Sequence, residues 1–231
     1  MRKGDEKRRE MLTVAERLFC LRGYEATSVQ DILDVLGASK GGFYHHFASK
    51  EALLVTLCEQ RAQQALEATE QALLQHAKPM ERLNCVLHGF LPLRLTEVPF
   101  LNMLLPLMSK PQNKALLLQY EESITASFLP VMEREISFAE KSEVIFPHIR
   151  NSASMVAAIL HTCWKEIARE MLDWMEGIAD MDVSALLEHL TRMRKAIEVL
   201  LDAPYGSVEV ITLPEWGDVA AELIRLRMAD E

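Results

Sequence analysis

The sequence predicts an all-α protein of about nine or ten helices, and three observations carry that expectation. Apolar residues recur at i, i+3, i+4 and i+7 through most of the 231-residue chain. No run alternates apolar with polar residues for long enough to make a convincing strand. Nine glycines and nine prolines cut the chain into helical lengths. With 49% hydrophobic and 26% charged residues the composition is ordinary for a globular chain, which excludes collagen-like, low-complexity and wholly disordered classes.

The elements follow in order. Leu12, Ala15, Leu18 and Phe19 define a first helix that ends at Arg22-Gly23, where glycine can adopt the left-handed conformation that closes a helix. Thr27 or Ser28 caps a second helix, whose apolar residues Val29, Ile32, Leu33 and Leu36 lead to Gly37. Ser39 caps a short third helix, Lys40 to Phe47, and Ala48-Ser49-Lys50 opens a long fourth that runs to about His76. Beyond Lys78-Pro79, the prolines at 92, 99, 106 and 111 break an apolar region, and broken helices leave gaps that make pockets. A seventh helix is expected from about Asn113 to Ala139, bent at Pro130 and followed by a polar loop, Glu140 to Glu143. Asn151 to Met175 and Val183 to Leu201 are long uninterrupted helical patterns. The tail from Tyr205 holds a possible extended piece, Val208 to Leu213, and a last short helix near Val219 to Met228, with no role assigned.

These divisions imply a small N-terminal domain, residues 1–50, continuing into a connecting helix at about 51–76. A larger domain over 77–204 and a C-terminal extension, 205–231, follow. Net charge is −9, but residues 1–50 carry 9 Lys and Arg against 7 Asp and Glu, whereas residues 51–231 carry 16 against 27. Only the front of the chain suits a phosphate backbone. No window of about 18 uncharged apolar residues occurs, and no apolar stretch follows the charged start Met1 to Arg9, so the expectation is a cytoplasmic protein without a membrane partner. Cys20, Cys58, Cys85 and Cys163 lie far apart and fit neither a zinc site nor a disulfide scaffold. They read as buried thiols, with a redox-sensing pair as the sharper alternative. His45 and His46 are adjacent, the wrong spacing for two metal ligands on one helical face, and neither a metal nor a cofactor is expected.

The second helix, the turn Gly37-Ala38 and the third helix make a helix-turn-helix, with a third helix small enough for a major groove. Gly41 and Gly42 within it each cost about 1 kcal/mol relative to Ala. A helix pressed against DNA recovers that cost, because backbone N–H groups can then approach phosphates and base edges. Phe43 and Phe47 are expected in the core instead.

The stretch Gly23-Tyr24-Glu25-Ala26-Thr27-Ser28-Val29-Gln30-Asp31-Ile32, then Leu36 to Phe47 (LGASKGGFYHHF) and Ser49 to Leu54 (SKEALL), resembles the DNA-binding domain of the tetracycline-repressor (TetR) family of bacterial transcriptional regulators. The resemblance covers about the first 60 residues. It implies DNA contacts by Thr27, Ser28, Gln30, Ser39, Lys40, Gly41, Gly42, Tyr44, His45, His46 and Lys50. Thr27 and Ser39 are helix caps first, and Tyr44 and His45 point at the duplex, with His46 and Lys50 on the backbone. It also implies a repressor that binds a pseudo-palindromic operator as a homodimer. A small effector, expected to be hydrophobic, would release it by shifting the fourth and sixth helices.

Two long helices are candidates for a four-helix dimer interface or for packing inside one subunit. Their stripes include Ala157, Leu160, Trp164 and Met171, and Leu186, Leu190, Met193, Ile197 and Leu200. Candidate linings for an effector pocket are Phe90, Phe100, Met103, Met108, Tyr120, Phe128, Met132, Met155, His161 and Trp164. An enzyme would need a convergent acid, base or nucleophile set, yet neither H-E-x-x-H, G-x-S-x-G nor a paired-carboxylate spacing occurs. The alternative to a regulator is a helical protein-interaction module without sequence-specific DNA binding, which would not need Lys40 or Lys50.

Overall fold

The computed structural model describes residues 3–180 and 182–230. Among them ten α-helices form: α1 (Lys3–Arg22), α2 (Val29–Leu36), α3 (Lys40–His46), α4 (Lys50–Leu73), α5 (Pro79–Phe90), α6 (Val98–Met108), α7 (Lys114–Lys141), α8 (Ser152–Met175), α9 (Val183–Leu201) and α10 (Leu213–Asp230). No strand occurs among the described residues, as an all-α reading requires.

The helix ends follow from capping chemistry. Ser28, not Thr27, caps α2: its Oγ accepts the Asp31 N–H at 3.1 Å while the Asp31 carboxylate accepts the Ser28 N–H at 2.7 Å. Gly37 closes the helix at φ 59°, where a side chain would be strained. The fourth helix stops at Leu73, short of His76, and Arg82 donates to the carbonyls of Leu73, which also accepts the His76 N–H, and of His76 at 3.0 and 3.2 Å. Pro106 and Pro130 lie inside α6 and α7 without ending them, and α7 runs on to Lys141 where a loop was expected. Residues 207–212 of the tail form no strand, and 210–211 bend. Instead α10 begins at Leu213, six residues early, because Thr212 and Glu215 make a reciprocal cap: Thr212 donates its N–H to Glu215 Oε2 at 2.9 Å and accepts the Glu215 N–H at 3.3 Å.

The chain forms two compact units. Unit 1 comprises the chain up to Arg61 together with Pro99–Tyr120, and unit 2 comprises Ala62–Val98 together with Glu121 onward. These units divide the chain elsewhere than the expected boundaries near 50 and 76. Phe100, Met103, Leu104 and Leu107 of α6 are buried in one cluster with Leu12, Phe19, Leu33, Phe43 and Leu54, so residues distant in sequence complete the N-terminal core. The C-terminal segment, for its part, belongs to unit 2 and is no separate extension. Within unit 2, α8 packs on α9. Ala157, Leu160, Trp164, Met171, Leu186, Met193 and Ile197 are already buried in this single chain, and Leu190 and Leu200 are half-buried. Most of each stripe is covered within this chain, as the second of the two expectations, packing inside one subunit, requires.

Candidate nucleic-acid interface

The third helix is short, and its two faces differ completely. Phe43 and Phe47 are buried, their ring centroids 5.8 Å apart, and they wedge α3 into the core of unit 1. Lys40, Gly41, Tyr44 and His45 are exposed on the opposite side, Tyr44 by 58% although it is a large aromatic residue. Its ring stands edge-on to Phe43 at 5.4 Å, so the buried wedge orients the exposed ring. Ser39 Oγ accepts the Gly42 N–H at 3.2 Å, and no acidic residue occupies the first turn of α3. A Cβ placed on Gly41 would meet nothing within 4 Å, so no intramolecular contact demands glycine there.

Neighbouring acids are engaged. Hydrogen bonds from the side chain and backbone of Ser28 hold the Asp31 carboxyl below the usual carboxylate range. Asp34 accepts the side-chain amide of Gln30 at 2.7 Å, which leaves Gln30 exposed with one donor already occupied. Ser28 is also exposed but is committed to the α2 cap.

Two expected DNA contacts are corrected by the structure. Thr27 is fully buried, and its hydroxyl donates to the carbonyls of Gly23 at 2.9 Å and Leu18 at 3.4 Å, leaving nothing for a phosphate. Lys50 turns inward. Its Nζ donates to the carbonyls of Tyr24 and Thr27 at 2.9 and 3.0 Å and lies 4.1 Å from the centroid of the Tyr24 ring. The ammonium thereby fastens the start of α4 to the loop before α2. His46 is half-buried beside His45 and close to the first turn of α1, where a Cβ on Gly4 would meet its ring at 3.9 Å. Arg8 was missed by sequence reasoning. It is exposed on α1, 5.1 Å over the Phe47 ring, and adds a cation beside α3 that only the fold brings there.

Residues 11–57 match the model of the family described as bacterial regulatory proteins, tetR family. Residues 11–57 are thus similar to the N-terminal domain of the tetR family. The HTH-type transcriptional regulator YerO of Bacillus subtilis (strain 168) is 47% identical over 55 residues, 24% of this chain and 19% of that protein. The HTH-type transcriptional repressor KstR2 of Rhodococcus jostii (strain RHA1) is 48% identical over 48 residues, 21% of this chain and 24% of that protein. The chain thus aligns with only 19–24% of the length of these relatives. The TetR-like fold extends further. The transcriptional regulator FadR from Bacillus subtilis, solved in complex with stearoyl-CoA, superposes with a TM-score of 0.56 over 85% of this chain and 98% of that chain, at 18% identity.

The ten candidate pocket residues do not converge. Phe100, Met103 and Tyr120 pack on the unit 1 core, Met108 is half-buried in the same unit, and Met155 is 49% exposed. In unit 2, Phe90 meets Phe128 and His161 at centroid distances of 5.7 and 4.8 Å, and Met132 and Trp164 are buried. His161 Nε2 lies 2.7 Å from Thr125 Oγ1, and burial holds its imidazole below the usual value, the signature of a satisfied core histidine. A cavity of about 480 Å³ in unit 2 is lined by none of the ten.

Proposed function

We propose that this chain is a transcriptional regulator, a repressor that binds a pseudo-palindromic operator as a homodimer in the cytoplasm and releases it when a small molecule binds unit 2. The observation that carries the reading is the outward face of α3: Lys40, Gly41, Tyr44 and His45 stand in solvent on a helix fixed from behind by Phe43 and Phe47. Ser39, Gly42 and the half-buried His46 border that face, and Gln30, Ser28 and Arg8 extend it. A cation, an aromatic hydroxyl and an imidazole, with a bare backbone between them, suit base edges and phosphates in a major groove. The name of KstR2 as a repressor supports the sign of regulation.

Two recognition helices need a two-fold pair to reach successive grooves. With their inner stripes consumed, α8 and α9 would pair through their outer faces, where Met155 and Val199 are 49% and 79% exposed.

The test is selection of binding duplexes from a random pool, followed by titration against salt. A two-half-site consensus is expected, and Lys40→Ala should weaken all sequences alike and lower the salt slope by about 1 without moving the melting temperature. Tyr44→Ala should weaken the consensus more than non-specific duplex. Absence of sequence preference at moderate salt, or indifference to both substitutions, would leave the protein-interaction reading in its place.

A further inference from the structure

The cavity of about 480 Å³ falls within the size range of small-molecule sites. It lies between α4, α5 and the C-terminal segment, all within unit 2. That segment is fastened in place as a wall. Asn84 of α5 donates its amide to the Ser207 carbonyl at 2.9 Å and accepts the Glu209 N–H at 3.0 Å. The Glu198 carboxylate accepts the N–H groups of Gly206 and Val208 at 2.8 and 3.2 Å. Ala68 and Ala72, one turn apart on α4, leave the space that longer side chains would fill.

The lining holds opposite charges, Arg94 and Glu215, that form no direct ion pair with each other. Arg94 rests against α5, where Gly89 carries no side chain, and donates to Thr69 Oγ1 at 3.2 Å; among the described residues no carboxylate pairs with it. Glu215 uses Oε2 for its cap to Thr212, while its Oε1 lies 4.0 Å from His88 Nε2, too far for a hydrogen bond. That Nε2 is buried without a partner. Burial keeps the His88 imidazole below its usual value and therefore neutral near pH 7. Burial would raise the Glu215 carboxyl, but the bonds to Thr212, with His88 and Arg94 nearby, hold it below the usual range and ionised. A guanidinium without a carboxylate, a carboxylate oxygen without a donor and an unpartnered ring nitrogen on one cavity are the complement of a molecule with both charges.

We propose that this cavity binds a small zwitterion of the amino-acid type, with its carboxylate on Arg94, its ammonium on Glu215 and His88, and its body over Ala68 and Ala72. The inference does not depend on DNA binding, because it is read on the free protein.

The experiment is calorimetric titration of the full chain with each of the common amino acids. For every binder, the decarboxylated amine and the deaminated acid follow. At least one amino acid should bind, with both single-charge analogues at least about tenfold weaker. Arg94→Gln should remove most of the preference for the zwitterion over the amine, and Ala72→Phe should abolish binding by filling the cavity. The proposal is overturned when no amino acid binds, when an amine binds as tightly as its parent, or when both variants bind as the wild type does. The analogue comparison needs no variant, so it stands even where Arg94→Gln fails to fold. Release of operator DNA by the same compound is titrated separately, so a failure of the regulator reading is distinguishable from a failure of the site.

Discussion

Unit 1 and unit 2 bury polar groups in opposite ways. Among the described residues of unit 1, Thr27 is buried with its hydroxyl satisfied by backbone carbonyls, and the Tyr24 hydroxyl is buried near Glu51. In unit 2 the buried polar and charged residues are Thr69, Glu135, Ser152, His189 and Glu198. Each of these buried ionic groups reaches another element or segment. Arg82 and Arg134 both grip Glu135, joining α5 to α7, and Arg134 also reaches Glu70 on α4. His189 of α9 lies between Glu166 and Glu170 of α8, at 2.9 and 2.5 Å. Unit 1 thus keeps a largely apolar interior, crossed by the inward-turned Lys50 and the Arg61–Glu16 pair, and leaves Lys40, Tyr44 and His45 exposed. Unit 2 turns its chemistry inward, where charge pairs fix which helices meet but contribute little net stability beyond apolar packing.

The largest expected effect breaks that contrast at Glu135, which is 1% exposed. Burial would raise its carboxyl, but hydrogen bonds from Arg82 and Arg134 outweigh burial and hold it below the usual range. Glu135→Ala leaves two guanidinium groups without their shared acceptor, and should cost about 3–5 kcal/mol. Hydrogen exchange read peptide by peptide should show the loss in unit 2, with α1–α3 protected as before. Equal loss in both units would mean that the two unfold as one.

Gly89 offers a steric version of the same test. A Cβ there would lie 2.0 Å from Thr69 Oγ1 and 3.1 Å from both Arg94 Nη2 and Phe128 Cε1. Thr69 is buried and its hydroxyl donates to the Ala65 carbonyl at 2.8 Å, so it has little room to yield. Gly89→Ala should cost about 1–3 kcal/mol in chemical denaturation. A neutral substitution would show that α4 and α5 are looser than this crossing implies.

Lys50 sharpens the contrast from the other side, because it is a cation that unit 1 turns inward, as Arg61 is over the Phe100 ring. Lys50→Ala should destabilise unit 1 by about 1–2 kcal/mol, through two lost carbonyl bonds and the contact with the Tyr24 ring. Lys40→Ala should leave the melting temperature alone. A lysine lost from a phosphate contact alone would lower the salt slope at position 50 and spare stability, the reverse of this expectation.

Lys50 also marks where sequence reasoning stops. Periodicity and caps locate α2 and α3, because Ser28, Gly37 and Ser39 act on residues one to four positions away. A cation that bonds carbonyls 23 and 26 residues earlier is invisible without the loop that presents them. The same limit separates Thr27 from Ser28, which read alike as caps until the burial of Thr27 divides them. On α8 and α9, stripes such as Leu160 and Met193 announce burial but not whether the covering helix belongs to the same chain. For the pocket, Phe100 and Met103 lie in a proline-broken stretch that returns to the N-terminal core, a long-range event with no local signature. The start of α10 was legible in principle, since Thr212 and Glu215 carry the spacing of a reciprocal cap.

The smallest effect is also the one with the most discriminating sign. Gly41 sits in the first turn of α3 with a right-handed helical backbone and open space where a Cβ would stand. Intramolecular physics therefore favours alanine, by up to about 1 kcal/mol, through helix propensity and a less flexible unfolded chain. Glycine is worth keeping there only when something outside the chain comes close to the backbone. Gly41→Ala should raise the melting temperature of unit 1 while weakening duplex binding, opposite changes from a single methyl group. At Gly42, where the built Cβ already meets Ser39 Oγ at 3.5 Å, the stability gain should be smaller. If Gly41→Ala stabilised unit 1 and left DNA affinity intact, the outward face of α3 would not press on a duplex at this point, and the contacts would have to shift toward Tyr44 and His45.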